Sequence, residues 1–105
     1  MITVNLRYKG ADARAFAEEM TASGTVDLIR AEPGNLRYEY YQSLDDPETI
    51  LLIDSWTDQA AIDAHHASAM MATIAELREK YNLNMTVERF VSIEDNAGDE
   101  RFIRK

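Results

Sequence analysis

The sequence predicts an α+β domain of the ferredoxin-like type, with the element order βαββαβ and helices on one face of a four-stranded antiparallel sheet. Four segments have the alternating or continuous apolar pattern of β-strands. Two regions of helical periodicity, each in two pieces, separate the first strand from the second and the third strand from the fourth. Because this is the order of the split βαβ fold, all helices are expected on the same face of the sheet.

The first half of the chain is predicted to contain two strands and two helical pieces. Residues 2–8 alternate apolar and polar side chains, which is the period of a half-buried strand. Helices are expected over residues 12–24 and 25–31, each capped by the Asp or Thr with which it starts. A Pro-Gly turn at residues 33–34 then leads into a Tyr-rich strand at residues 35–42.

The strongest strand signal lies in the second half, in the apolar run of residues 50–53. Asp58 is expected to cap the helix after this strand, because its carboxylate can accept from the first free N–H groups. A further helix is predicted over residues 69–81, capped by Ser68 and with its charged residues on the solvent side. The last strand is expected at residues 85–93.

Residues 1–93 are predicted to form the folded domain, since a chain of this length can bury a core of its own. Residues 94–105 are predicted to be an acidic linker and a C-terminal tail. The stretch 94–100 is acidic and contains Gly, as mobile linkers do. Phe102 and Ile103 would be unusual in a free tail, so they are expected to dock onto the sheet or onto a second subunit.

Composition excludes several classes of partner and of chemistry. The formal net charge of -8 argues against nucleic acid binding, which needs a concentrated basic surface. Because the chain has no Cys, it can form no disulfide, it has no thiolate nucleophile, and it offers no Cys ligand for a metal. No apolar run is long enough to span a bilayer, and the N-terminus lacks the pattern of a secretion signal. A cytoplasmic location without a membrane partner is therefore expected.

Neither a metal nor a cofactor is predicted. His65 and His66 are adjacent on a helix and diverge by about 100°, whereas two ligands of one metal need a spacing of three or four residues. The chain has no Gly-rich phosphate loop and no dinucleotide fingerprint, so the sequence gives no support for bound flavin or nicotinamide.

The candidate site is a pocket between the sheet and the helices. His65 follows one helical turn after Ala61 and Ile62, so its imidazole is expected to point inward, near the indole of Trp56. Each candidate also has a structural explanation, since Trp56 can be core and His65 a hydrogen-bonded core residue, with His66 at the rim. The residues expected around the pocket are Asn5, Tyr38, Tyr40, Trp56, His65 and His66.

Four features in a fixed order make the chain resemble a known family. The turn at residues 32–35 precedes the Tyr-rich strand, a second turn occupies residues 45–47, Trp56 ends the apolar strand, and the Ala64-His65 pair places His65 nine residues beyond Trp56. This pattern resembles the antibiotic biosynthesis monooxygenase (ABM) family of small dimeric α/β barrels. The resemblance covers most of the chain and is more specific for the fold than for the reaction.

The resemblance implies a cofactor-independent monooxygenase whose quinol- or anthrone-like substrate itself reduces O2. It assigns His65 as the base, Asn5 as the oxygen-orienting donor, and Trp56 and Tyr38 as walls. A haem-degrading branch of the fold also resembles the chain at Asn5, but its haem-ligating His falls at Ala75, which argues against that activity. A non-oxidative isomerase acting on a small carbonyl compound and a small-molecule-binding dimeric module remain open.

The sheet is expected to bury its second face against a second copy of the chain. Helices on one face would leave either Leu51 and Ile53 or Ile50 and Leu52 bare on the other. Burial of such side chains contributes roughly 1.5 to 3 kcal/mol each, so an uncovered sheet should find a partner. The sequence therefore predicts a homodimer with two-fold symmetry, which the family resemblance also implies.

Overall fold

The computed structural model describes residues 1–93 and 97–105, and it has the predicted order of strands and helices. The strands form one antiparallel sheet, in which the first and third strands are central and the second and fourth are at the edges. This confirms the ferredoxin-like α+β fold. The elements are β1 (Ile2–Lys9), α1 (Ala13–Ala22), α2 (Thr25–Arg30), β2 (Asn35–Gln42), β3 (Thr49–Trp56), α3 (Gln59–His66), α4 (Met70–Lys80), β4 (Asn84–Val91) and a 3-10 helix (Ala97–Phe102).

The helices cover one face of the sheet, which we call the covered face, and leave the other, the open face, without helices. In the pairing of β1 with β3, Leu6 lies opposite Leu52 and Tyr8 lies opposite Ile50. These four side chains point to the covered face, and the residues between them point to the open face because side chains alternate along a strand. Both faces of β3 are therefore lined by large aliphatic residues.

The core lies between the covered face and the helices. Its largest fully buried side chains come from both layers, which is expected when one face of a sheet packs against a helix layer. The aromatic rings of Tyr8 on β1 and Phe16 on α1 lie 4.7 Å apart between centroids, so the two layers are in direct contact. The fully buried side chains are Trp56, Tyr8, Tyr38, Phe16, Met20, Ile29, Leu52 and Val26.

Two of the predicted helix caps concern Asp residues, and they have different outcomes. Asp58 caps α3 as expected, since its Oδ1 accepts from the Ala61 N–H at 2.9 Å. Asp12 stands at the N-cap of α1 but makes no side-chain cap hydrogen bond. The start of α1 is therefore fixed by packing of its buried face rather than by its cap.

The other two predicted caps are wrong. Gly24 stands at the N-cap of α2 with φ of 83°, and Thr25 is already helical. Ser68 does not cap α4, because its hydroxyl donates to the carbonyl of His65 at 2.7 Å and Ala69 occupies the N-cap position. Ser68 instead helps to end α3.

The C-terminal part of the chain differs from its prediction in two ways. β4 ends at Val91 rather than at residue 93, and the 3-10 helix begins at Ala97, within the stretch expected as a mobile linker. Residues 94–96, also in that stretch, lie outside the described residues. Phe102 is 74% exposed and Ile103 is 50% exposed, so docking onto the chain's own sheet is wrong, and docking onto a second subunit stays a prediction.

Within the described residues, we find no helix of the length and hydropathy that a membrane span requires.

Candidate active site

A cavity of about 220 Å³ lies between the covered face and the helices α3 and α4. Its walls are mostly aliphatic, with a small number of polar and charged groups, as is typical of small-molecule sites. Among the described residues, no cluster of three or more His, Cys, Asp or Glu side chains could hold a metal ion. The polar lining residues are Tyr8, Tyr38, Asp54, His65, His66, Arg78 and Arg89.

His65 is the buried histidine of the pair on α3, and it forms a close pair with Glu32. Its Nδ1 lies 2.7 Å from Glu32 Oε1, and the two side chains are only 6% and 13% exposed. Since the carboxylate can only accept, the Nδ1–H donates to it, and Nε2 of the neutral ring carries the lone pair. Nε2 makes no hydrogen bond within the described residues. The pair therefore fixes one nitrogen and leaves the other free.

The turn between α2 and β2 brings Glu32 to α3. Gly34 has φ of 84°, and a Cβ there would lie 2.6 Å from Ala61 Cβ and 2.8 Å from Thr57 Oγ1. Its carbonyl accepts from the Thr57 N–H at 2.9 Å. Only glycine suits both the left-handed backbone and this close approach. Gly34 thus allows the turn to pack on the first part of α3, and Glu32 in the same turn meets His65 near the C-terminal end of that helix.

Trp56 lies behind the cavity and holds two of the residues that line it. Its ring centroid is 4.8 Å from that of His65, with 30° between the planes. Its Nε1–H donates to Asp54 Oδ2 at 3.0 Å. Because the indole is fully buried and does not line the cavity, its expected position as a wall is wrong. Trp56 instead positions His65 and Asp54.

Asp54 is a buried carboxyl group that lines the cavity and has one unpartnered oxygen among the described residues. Its residue exposure is 6%, and Oδ1 is buried without a hydrogen-bond partner in the described part of the chain. Burial raises the pKa of Asp54, while the hydrogen bond from Trp56 and the nearby His65 oppose that rise. An orphan acceptor in such a place is costly unless a ligand satisfies it. Asp54 can therefore accept from a substrate hydroxyl.

The two expected tyrosines of β2 have different positions. Tyr38 lines the cavity, but Tyr40 does not, and its ring packs edge-on against Phe16 at 6.3 Å. The expected position of Tyr40 is therefore wrong. Burial raises the pKa of Tyr38 and of Tyr40, and it raises the pKa of Tyr8 to about 12. All three phenols stay protonated near neutral pH and cannot serve as bases, and Tyr8 and Tyr38, which line the cavity, can orient a ligand.

Asn5 does not join the site. It pairs with Ile53 in the sheet, and both side chains point to the open face, away from His65 and Trp56. The expectation that Asn5 orients the substrate oxygen in this cavity is therefore wrong. The sequence places Asn5 on the polar side of β1, and only the packing of the helices shows that this side is the open face.

Comparison with known proteins assigns the chain to a family. The family model of the antibiotic biosynthesis monooxygenases matches residues 1–77, which include β1 to β3 and every residue of the Glu32, His65, Trp56 and Asp54 cluster. The chain belongs to the ABM family. A curated relative, YcnE of Bacillus subtilis (strain 168), is described provisionally as a monooxygenase. It is 31% identical over 48 residues, which are 46% of this chain and 50% of YcnE, so the match spans about half of the relative.

Solved structures share the fold of this ABM chain. SnoaB of Streptomyces nogalater, a cofactor-independent oxygenase, matches with a TM-score of 0.75 at 19% identity, over 91% of this chain and 96% of SnoaB. PA3566 of Pseudomonas aeruginosa matches with a TM-score of 0.72 at 25% identity, over 88% and 93% of the two chains. Likeness at such identities shows a common architecture.

Two cavity residues of this ABM chain have signals in the sequence that point to them. Asp54 shares the parity of Ile50 and Leu52 along β3, so its carboxyl group must face the core. Arg78 follows Ile74 by four residues and so lies on the buried side of α4, rather than on the solvent side expected for its charged residues. Glu32 has no such signal, because its partner is 33 residues away.

Proposed function

We propose that the protein is a cofactor-independent monooxygenase that acts on a small aromatic, quinol- or anthrone-like substrate. The observation that carries this proposal is the pair of Glu32 and His65, which leaves His65 Nε2 free beside an apolar cavity. An imidazole is suited to taking a phenolic proton near neutral pH. A carboxylate on Nδ1 fixes the tautomer that can accept the proton and stabilises the imidazolium that forms.

The reaction needs electrons from the substrate alone. His65 accepts a phenolic proton, the phenolate transfers one electron to O2, and the resulting semiquinone radical and superoxide combine to a peroxide anion on a ring carbon that bears a hydrogen. The peroxide takes the proton back from His65 and becomes a hydroperoxide. His65 then removes the hydrogen of that ring carbon as a proton, the O–O bond breaks as the new C=O bond forms, and the hydroxide that leaves takes this proton and becomes water. One atom of O2 stays in the product and the other is in water, so electrons and atoms balance without a further reductant.

Two other cavity residues support an aromatic substrate with a hydroxyl group. The buried Asp54 Oδ1 can accept from a second hydroxyl of the ring, and the protonated Tyr38 can donate to an oxygen. The cavity of about 220 Å³ is below the range of roughly 300 to 1,000 Å³ of most ligand sites. This size favours substrates with one or two rings over an anthrone.

The test is turnover of a panel of quinols, anthrones and small hydroxy-ketones, with O2 present and with O2 removed. We expect loss of a quinol only with O2 and without added cofactor. His65→Ala should lower kcat by roughly 10² to 10⁴ at unchanged fold, the usual contribution of acid–base catalysis. His66→Ala, its exposed neighbour, is the matched control and should do much less. Turnover without O2 would favour an isomerase instead, and no turnover of any substrate would favour a binding module.

The variant Glu32→Gln tests whether His65, the proposed base, depends on its partner Glu32. The amide keeps the size of the side chain but removes the charge that stabilises the imidazolium. We expect a loss of kcat that is smaller than in His65→Ala. An unchanged kcat would remove Glu32 from the mechanism.

We also propose that the active protein is a homodimer whose open faces pack on each other. Leu51 and Ile53 are only partly covered in the single chain, and Tyr41 and Phe90 on the same face are 45% and 49% exposed. Asn5 Oδ1, on this face, is buried and unpartnered among the described residues. An apolar centre with polar groups around it has the composition of a subunit interface.

A further inference from the structure

We propose that the substrate carries a carboxylate and that Arg78 binds it, an inference that rests on the function proposed above. Arg78 extends from α4 into the cavity lining, and its charge acts on the buried Tyr8. The proposed oxidation needs no positive charge at that position. The substrate would therefore be a hydroquinone of one or two rings with an acidic arm.

Arg78 differs from the other arginines of the domain in its partners. The chain has 19 acidic residues against 11 basic ones, so carboxylates are abundant. Arg78 nevertheless has no ion pair and no side-chain hydrogen bond among residues 1–93 and 97–105. Four other arginines each have a carboxylate partner, in the pairs Arg7 with Glu88, Arg14 with Glu18, Arg30 with Asp27 and Arg37 with Glu39.

The surroundings of Arg78 make its lack of a partner costly. The side chain is partly buried, in the turn of α4 after the buried Ile74, whereas the paired Arg14 is exposed on α1. A guanidinium has five N–H donors in a rigid fork that matches the two oxygens of a carboxylate. A charge held against an apolar wall without such a partner loses hydration and gains nothing in return. A ligand carboxylate would supply the missing acceptors.

The remaining charges of the cavity fix the direction of the ligand. Asp54 is its buried acidic group, and an anionic arm next to it would be repelled. Asp54 on β3 lies opposite Val4 on β1, and Val4 lies opposite Arg89 on β4. The guanidinium of Arg89 is therefore two strands away from the carboxyl group of Asp54. Arg89 is exposed and donates to the amide oxygen of Gln59, so it attracts a negative charge at the exposed side of the cavity. The phenol end should thus point to Asp54 and His65 and the carboxylate to Arg78.

A carboxylate fits this cavity better than a phosphate does. Among the described residues the cavity lining includes two arginines, the partly buried Arg78 and the exposed Arg89, so one negative charge is balanced inside and two are not. The flat carboxylate also extends an aromatic ring with little added volume, which suits a cavity of about 220 Å³.

The experiment measures binding without O2, so that it does not depend on turnover. The probes are a hydroquinone with an acetic acid arm and its methyl ester, which differ in charge but share the ring. We expect the acid to bind the wild-type protein at least about tenfold more tightly than the ester, the usual size of a charge-assisted hydrogen bond. In Arg78→Met this preference should disappear, while Arg78→Lys should keep part of it. Arg14→Met, which removes an equal charge from a paired and exposed site, should keep it fully.

Each outcome decides for or against the proposal. Equal binding of acid and ester to the wild type, or a preference that survives Arg78→Met, would overturn it. If Arg78→Met does not fold, Arg78→Gln and the salt dependence of acid binding by the wild type decide, since a fork on a carboxylate must weaken as salt rises. Selective binding of the acid without O2-dependent turnover would leave this inference standing and sink the proposed function. O2-dependent turnover of the ring with equal binding of acid and ester would overturn this inference and leave the proposed function standing.

Discussion

The two faces of one strand, β3, have the same kind of side chain and different environments. Ile50 and Leu52 are 3% and 1% exposed under the helices, whereas Leu51 and Ile53 on the open face are only partly covered. Since all four are large aliphatic residues, side-chain chemistry does not explain the difference. The helices cover one face within the chain and leave the other face open.

The polar groups of the two faces also differ in what they contact. On the covered face, the Trp56 indole holds one oxygen of Asp54 at the cavity and the other oxygen has no partner among the described residues. On the open face, polar contacts run across the strands instead, as in the hydrogen bond of 2.8 Å between Thr3 and Ser55 hydroxyls. This difference agrees with the two proposals made above, a small molecule in the cavity of the covered face and a second copy of the chain on the open face.

The largest effect is expected from a charge on the open face. Ile53→Glu would place a carboxylate in the proposed dimer interface, where a buried, unpaired charge is strongly destabilising. We expect monomeric or aggregated protein by sedimentation at low micromolar concentration, while the wild type sediments as a dimer whose melting temperature rises with concentration. Leu28→Glu is the control, because Leu28 is 61% exposed on α2 and should tolerate the change. A wild type that sediments as a compact monomer would contradict the interface.

Truncation of a side chain on the covered face should lower the stability of the single chain rather than that of the dimer. Leu52→Ala removes a fully buried side chain from the core and should lower the free energy of unfolding by roughly 2 to 5 kcal/mol. Because Leu52 lies within one chain, its loss should not change the dimer dissociation constant, whereas Leu51→Ala should weaken the dimer. Denaturant unfolding and sedimentation of both variants check this. If the two variants behave alike, the distinction between the faces fails.

The smallest effect is expected from the buried acid of the covered face. A carboxyl whose pKa is raised by folding, as burial raises that of Asp54, contributes stability that is present below its unfolded pKa of about 3.9 and is lost as the pH rises through the folded value. Asp54→Asn removes this loss and can keep the hydrogen bond from Trp56. The variant should melt higher than the wild type near pH 7, with a smaller difference near pH 3. The exposed Asp63→Asn should show neither change, and a lower melting temperature of Asp54→Asn near pH 7 would refute the argument.

Part of the site follows from the sequence because backbone geometry has fixed periods. A strand alternates faces at every residue, so the separation of Leu51 and Ile53 from Ile50 and Leu52 is readable directly. Helical spacing likewise directs His65 inward, and the carboxylate of Asp58 identifies the start of its helix. The order of these elements then predicts the ferredoxin-like fold.

The tertiary structure decided what periodicity does not encode. Alternation says that Asn5 and Leu6 lie on opposite faces, but only the packing of the helices says which face holds the cavity. The partner of His65 is Glu32, 33 residues away, and their contact depends on the turn at Gly34 that packs on α3. Local patterns are set by interactions between near neighbours in the chain, whereas the environment of a polar side chain is set by whichever distant segment packs against it.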